Sequence, residues 1–154
     1  MTSRTSELTL QTANDLLKEV GLRRTIARTH LLQCLASQPT PRTQMEVSDL
    51  LAAHGFDAST IFRGLNDLVE AGLVNRIDVG DRIWRFEYRN DGPEGVGDRE
   101  RHPHIVCTRC GRIDCLSPGL IRTVDDSLAE WAIEDVVFKG CCETCREHRL
   151  TPFP

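Results

Sequence analysis

Apolar residues recur every three or four positions along four successive stretches of the first half of the chain, and then the period changes to two. In LTLQTANDLLKEVG, Leu10, Ala13, Leu17 and Val20 share one helical face and Gly21 supplies the stop. TIARTHLLQCLAS repeats the pattern with Ile26, Leu31, Cys34 and Leu35 before Pro39 and Pro41 break it. TQMEVSDLLAAHG predicts a third helix that turns Val47, Leu50 and Leu51 inward and closes at Gly55. Asp57 is placed to cap a fourth, ASTIFRGLNDLVEAG, whose Ile61, Leu65, Leu68 and Val69 make one stripe ending at Gly72. Beyond it Val74, Ile77 and Val79, then Ile83, Trp84, Phe86 and Tyr88, form two strand-like runs around Gly80 and Asp81, which predicts a β-hairpin. Helices followed by a two-stranded hairpin predict a winged helix-turn-helix, in which the last helix enters the major groove and the hairpin flanks it.

The stretch NDGPEGVGDRER, residues 90–101, has three glycines, one proline and almost no apolar side chain, and predicts a hinge. After it come a strand in HIVCTRC, a turn at Gly111, a second strand in RIDCLS, and a helix from Pro118 with Ile121, Val124, Leu128 and Trp131 at helical spacing. A last strand follows in IEDVVFKGCC. The expected fold is α+β: a winged-helix DNA-binding domain over 1–89, a hinge over 90–101, and a small α/β domain over 102–154 for dimerisation and metal binding. A piece of roughly 50 residues buries little core alone and needs a metal, a disulfide or a second subunit.

Composition narrows the function. With 40% apolar and 27% charged residues in 154, the chain has the balance of a soluble globular protein. No apolar run approaches the roughly 20 residues that span a bilayer, and MTSRTSELTL lacks the apolar core of a secretion signal, so a cytoplasmic protein without a membrane partner is expected. The net charge of −4 argues against nonspecific coating of nucleic acid. It is unevenly spread: residues 1–89 carry 11 basic and 11 acidic side chains, residues 90–154 carry 8 and 12, so a polyanion would meet the first half. Seven cysteines in a reducing compartment are better placed to bind metal than to form disulfides.

Four of them form two CxxC pairs, Cys107 with Cys110 and Cys142 with Cys145, separated by 31 residues. Two short turns with that spacing can aim four sulfurs at one tetrahedral ion, so one structural Zn2+ per subunit is expected, with Cys141 left outside as a strand cysteine. A zinc-dependent dithiol redox enzyme is the alternative from another class, but neither pair falls at a predicted helix start, where such thiols are activated. His102 and His104 alternate on an extended segment and so face one side. With Glu87 from the end of the hairpin and Cys115 from the next strand they make a second candidate site, which would tie the two halves together across the hinge. Read singly, Glu87 is a surface carboxylate and Cys115 a small buried residue; His30, Cys34, His54 and His148 read as core or surface positions and are not expected as ligands. For nucleic acid, Ser59, Thr60, Arg63 and Asn66 lie near the start of the fourth helix, and Arg23, Arg24 and Arg28 cluster ahead of the second. No open three-ligand zinc site with an adjacent general base is visible, so no enzyme is expected. A zinc-ribbon adaptor would leave the winged-helix pattern unexplained.

GLRRTIAR, ASTIFRGLNDLVEAGLV, HPHIVCTRCGRI and CETC, in this order and at these separations, resemble the ferric uptake regulator (Fur) family of metal-dependent repressors. The resemblance runs from about Gly21 to Cys145. It implies a homodimer that binds palindromic double-stranded operator DNA when metal is present. It matches the four CxxC cysteines to a structural zinc site and Glu87, His102 and His104 to positions that hold the regulatory metal in many members. The family's usual recognition-helix tyrosine is Phe62 here, which keeps stacking on thymine methyls but loses a hydroxyl. Cys115 stands where a carboxylate ligand is common, no histidine stands near Gln44, and Arg122 and Glu134 occupy positions of a further carboxylate and histidine cluster. A site of one thiolate, two imidazoles and one carboxylate is softer than ferrous iron prefers and suits tetrahedral zinc. The expectation is therefore a zinc-responsive repressor, of the zinc uptake regulator branch, with Fe2+, Mn2+ or peroxide sensing as the alternative.

Overall fold

The computed structural model describes residues 7–89, 102–117, 130–133 and 135–147. The chain divides into two compact units, Met1–Gly97 and Asp98–Pro154. The hinge expected over 90–101 lies outside the described residues, as do most of the helix expected from Pro118 and the positions of Arg122, Glu134 and His148. No described helix is long and apolar enough to cross a membrane.

In the first unit, helix α1 (Leu10–Glu19) starts where the Thr9 hydroxyl accepts from the Thr12 amide and ends at Gly21, whose φ of +74° suits glycine. Helix α2 (Ile26–Ala36) starts at Thr25, whose hydroxyl caps the Arg28 amide. The two-residue strand β1 (Arg42–Thr43) runs directly into α3 (Gln44–Leu50). That helix opens with a capping box: Thr43 and Glu46 each accept from the other's backbone amide, at 3.2 and 2.7 Å. A single 3-10 turn, Ala52–His54, leads to Gly55 at φ +70°. Helix α4 (Ala58–Glu70) is capped by Asp57, whose carboxylate takes the Thr60 amide at 2.6 Å.

The core gathers Ala13 and Leu17 of α1, Leu31, Leu32 and Leu35 of α2, Val47 and Leu51, Ile61, Leu65 and Leu68 of α4, and Leu73, Val74 and Phe86. Gly64 lets α4 approach α2, since a Cβ there would collide with Leu31 Cδ1. Three positions expected inward are exposed: Leu10, Ile26 (73% exposed) and Leu50. Each sits at the end of its helix, where the stripe overhangs the core and no described element faces it.

Strands β2 (Val74–Asp78) and β3 (Trp84–Tyr88) pair antiparallel with Arg76 opposite Phe86. Strand β1 joins the far edge of β3, giving the order β1-β3-β2. The hairpin was expected as two strands; the third is too short to show a period. At its tip Ile83 and Trp84 are exposed and Arg85 is buried, the reverse of what their polarity predicts. Arg85 is tolerated because its guanidinium donates to both Asp81 oxygens, at 3.1 and 2.8 Å, and to the Ile83 carbonyl.

The second unit is built on β4 (His104–Cys107), β5 (Ile113–Cys115) and β6 (Val137–Gly140), in the order β5-β4-β6. β5 lies antiparallel to β4 and β6 parallel to it. A short helix, α5 (Glu143–Glu147), follows and buries Cys145.

Candidate metal centres and nucleic-acid face

Both CxxC pairs sit at one end of the second unit's sheet. Cys107 ends β4, and the turn to β5 closes with Gly111 at φ +73°, its amide donating to the Cys107 carbonyl at 2.9 Å. Cys142 lies just past β6 and Cys145 one turn into α5. The Thr108 amide donates to the Gly140 carbonyl at 2.7 Å, which holds the two loops side by side. The four sulfurs then lie within 4.8 Å of one another, with Cys110 and Cys142 at 3.8 Å. Tetrahedral thiolates bound to zinc at about 2.3 Å stand about 3.8 Å apart, so the donor set fits that ion.

The backbone prepares Cys107 for negative charge. The Cys142 amide donates to Cys107 Sγ at 3.3 Å and the Arg109 amide at 3.4 Å. Amide donation, from Cys142 first and then from Cys110 and Arg109, holds the Cys107 thiol down at about 6. Burial, then the neighbouring sulfurs, push Cys145 up. Four thiolates this close repel one another, and a dication at their centre removes that penalty. The expected absence of a helix start fails for the second pair, because Cys142 immediately precedes α5 and Cys145 lies within it. A five-residue helix carries too weak a periodicity to be read in advance. The convergence of all four sulfurs, rather than the placement of either pair, is what favours metal over dithiol exchange. Cys141 is exposed, its sulfur 3.6 Å from the Cys142 carbonyl oxygen, and stands outside the cluster.

At the other end of the sheet, His104 and Cys115 are directly opposed across the β4–β5 ladder. His102, two residues before His104, shares its face, and the two rings have centroids 4.6 Å apart at 55°. The donor atoms of His102, His104 and Cys115 fall within 4.8 Å of one another. Both histidines are buried and Pro103 between them is fully so, while the Pro103 carbonyl accepts from Leu116 at 2.8 Å and fixes the segment against β5. One thiolate with two imidazoles is a borderline donor set that fits zinc. Glu87, the fourth expected member, lies in the first unit on β3, half-buried and opposite Asn75.

On α4, Ser59, Phe62 and Arg63 are exposed and Thr60 and Asn66 half-buried. Phe62, 49% exposed on a helix whose other face is the core, is out of place for packing alone. Arg63 Nε donates to the Ser59 carbonyl at 3.3 Å, which leans its guanidinium back along the helix. Arg23 and Arg24 are exposed and share a concavity with Lys18, Gly21 and Leu22, so Lys18 joins a basic cluster that sequence separation had concealed. Arg28 is placed differently from its two neighbours. Its Nε and Nη2 donate to Asp67 of α4 at 3.1 and 2.6 Å and its Nη1 to the Arg23 carbonyl at 2.8 Å. It positions α2 against α4 and shapes the Arg23 loop rather than offering a free cation. On the hairpin, the Arg76 guanidinium stacks over the Trp84 ring at 3.4 Å, a pair with no signature in the sequence.

A family model described as the ferric uptake regulator family matches residues 19–137. The ferric uptake regulation protein of Bacillus subtilis (strain 168) is 30% identical over 92 residues, which are 56% of this chain and 58% of that protein. That of Legionella pneumophila is 30% identical over 119 residues, 75% of this chain and 82% of that protein. Among solved structures, the crystal structure of the Vibrio cholerae ferric uptake regulator is similar with a TM-score of 0.67 and 25% identity, over 84% of this chain and 98% of that one.

Proposed function

The chain belongs to the ferric uptake regulator family, and from that premise we propose that it is a cytoplasmic transcription repressor that binds operator DNA as a homodimer and takes zinc as its signal. In this reading Cys107, Cys110, Cys142 and Cys145 hold a structural zinc ion that stabilises the second unit. His102, His104 and Cys115 hold the regulatory ion, with Glu87 as the ligand from the first unit. Ser59, Thr60, Phe62, Arg63 and Asn66 of α4 read the major groove, and Arg23 and Arg24 meet phosphates.

The observation that carries the zinc reading is the register that sets Cys115 opposite His104. Iron and manganese, the alternatives, favour donor sets richer in oxygen, and a thiolate in that place moves preference toward zinc. A bound dication supplies positive charge that draws these side chains together. Ligands drawn from both sides of 90–101 would then bias the arrangement of the two α4 helices in a dimer. Moving such an equilibrium from 1:99 to 99:1 takes about 5.5 kcal/mol of differential metal binding, which a four-ligand site can supply.

The test is a gel-shift titration of the full chain on its own promoter region in zinc and in chelator, beside Cys115→Asp. Zinc is expected to tighten binding at least a hundredfold, and Cys115→Asp to need more zinc and to answer better to Mn2+. Equal binding in zinc and in chelator would sink the sensor reading. An unchanged metal preference in Cys115→Asp would remove the argument for zinc alone.

A further inference from the structure

The first unit holds a second meeting of histidines, far apart in sequence and unused by the reading above. His30, half-buried on α2, and His54, the exposed last residue of the 3-10 turn, have ring centroids 4.2 Å apart and planes tilted by 47°. Phe56 closes the group, stacked on His54 at 5.8 Å and 8° and standing 6.0 Å from His30. Gly55 makes this possible: at φ +70° it reverses the chain, so His54 lies back over α2 while Phe56 packs against the core.

Nothing in the core needs two imidazoles here, since one of them is exposed. The relation they adopt is close to that of His102 and His104, whose centroids stand 4.6 Å apart at 55°. Two imidazoles bound to one divalent ion at about 2.0–2.1 Å hold their centroids roughly 4.5–5 Å apart, according to the angle between the bonds. The centroid separation of the pair is within about half an ångström of that range. We propose that His30 and His54 form a separate binding site for a late first-row divalent ion, of the Ni2+, Cu2+ or Zn2+ class, on the winged-helix unit.

Imidazole suits these ions, and the exposed side of His54 leaves room for water to complete the coordination shell. Among the described residues no cysteine, aspartate or glutamate joins the pair in a three-ligand group, so the site binds more weakly than either cluster in the second unit. It fills last, when the ion is abundant. An ion held there fastens α2 to the turn that ends three residues before Asp57, the cap of α4. The first turn of α4 carries Ser59 and Thr60, so occupancy would restrain the element that faces DNA.

The experiment is a Ni2+ titration of the full chain already saturated with zinc and freed of excess, followed through the imidazole resonances of 15N-labelled histidine. Ni2+ is chosen because it is paramagnetic, binds imidazole well and does not oxidise thiols. The His30 and His54 signals are expected to broaden together, at concentrations that leave His148 unchanged. His54→Phe keeps an aromatic ring against Phe56 but removes the donor. It is expected to leave the melting temperature within about 2 °C and to weaken Ni2+ binding at His30 at least tenfold. Broadening of His30 and His54 only in step with His148, or undiminished binding in His54→Phe, would overturn the proposal. This outcome is independent of the gel-shift result, because it is read without DNA.

Discussion

The two units of the molecule are held together by different means. In the first, leucines, a valine and an isoleucine from four helices meet Val74 and Phe86 of the β2–β3 hairpin in one continuous core. In the second, the buried described side chains are few: Val106 and Ile113 are the apolar ones, and around them lie Cys107, Cys145, His102, Pro103 and His104. Metal-ligating residue types thus occupy positions that aliphatic side chains fill in the first unit. A small sheet whose described residues bury so little carbon would gain stability from the proposed ligand bonds, and its folding would then answer to an ion.

Removing one thiolate tests that contrast most severely. Cys145→Ser, or strong chelation of the unaltered chain, is expected to unfold the second unit and to release the ion. Structural zinc contributes about 10–16 kcal/mol in small zinc domains, more than such a core can replace. Hydrogen exchange should show protection lost from β4–β6 and retained in α2 and α4. Protection kept in β4–β6 after chelation would refute the metal-dependent picture of that unit.

A core change should do the opposite. Gly64→Ala places a methyl group against the fully buried Leu31 side chain, which must shift to admit it. A cost of about 1–3 kcal/mol is expected from overpacking, confined to the first unit's melting transition, with metal content per chain unaltered. A stable Gly64→Ala first unit would mean that α4 does not approach α2 so closely.

The smallest effect belongs to the hairpin tip. Hydrogen bonds from Arg85, then the Ile83 amide, hold the Asp81 carboxyl below the usual carboxylate range against the opposing pull of burial. A depressed pKa contributes stability above the unfolded value and loses it as pH falls through the folded one, so the tip should loosen below about pH 4. The pair is partly exposed, and screening holds the contribution to about 0.5 kcal/mol or less. Trp84 fluorescence in a Trp131→Phe background would report it, and Asp81→Asn should abolish the transition. A transition that persists in Asp81→Asn belongs to another group.

Much of this arrangement was legible in advance, for identifiable reasons. Asp57 ahead of a long apolar stripe announced α4, and Gly21, Gly55 and Gly72 marked ends because each takes a positive φ. Leu10, Ile26 and Leu50 misled because a periodic residue at a helix end has the right spacing and still stays exposed. Arg85 misled because its burial depends on Asp81, four residues away across a turn whose conformation the alternation does not encode. The strand β1 and the helix α5 were hidden by their length.

What the sequence alone determined is what lies within a turn or two of chain: the helix caps, the hairpin, and the two CxxC knuckles, whose three-residue spacing already fits half a tetrahedron. Tertiary structure decided which distant groups meet. It set Cys115 opposite His104 through a strand register, laid His54 over His30 through one left-handed glycine, and turned Arg28 from the solvent toward Asp67. Local pattern is governed by short-range sterics and hydrogen bonding that each segment satisfies by itself. Contacts across tens of residues are chosen only when the apolar faces close on one another, and that closure is a property of the whole unit.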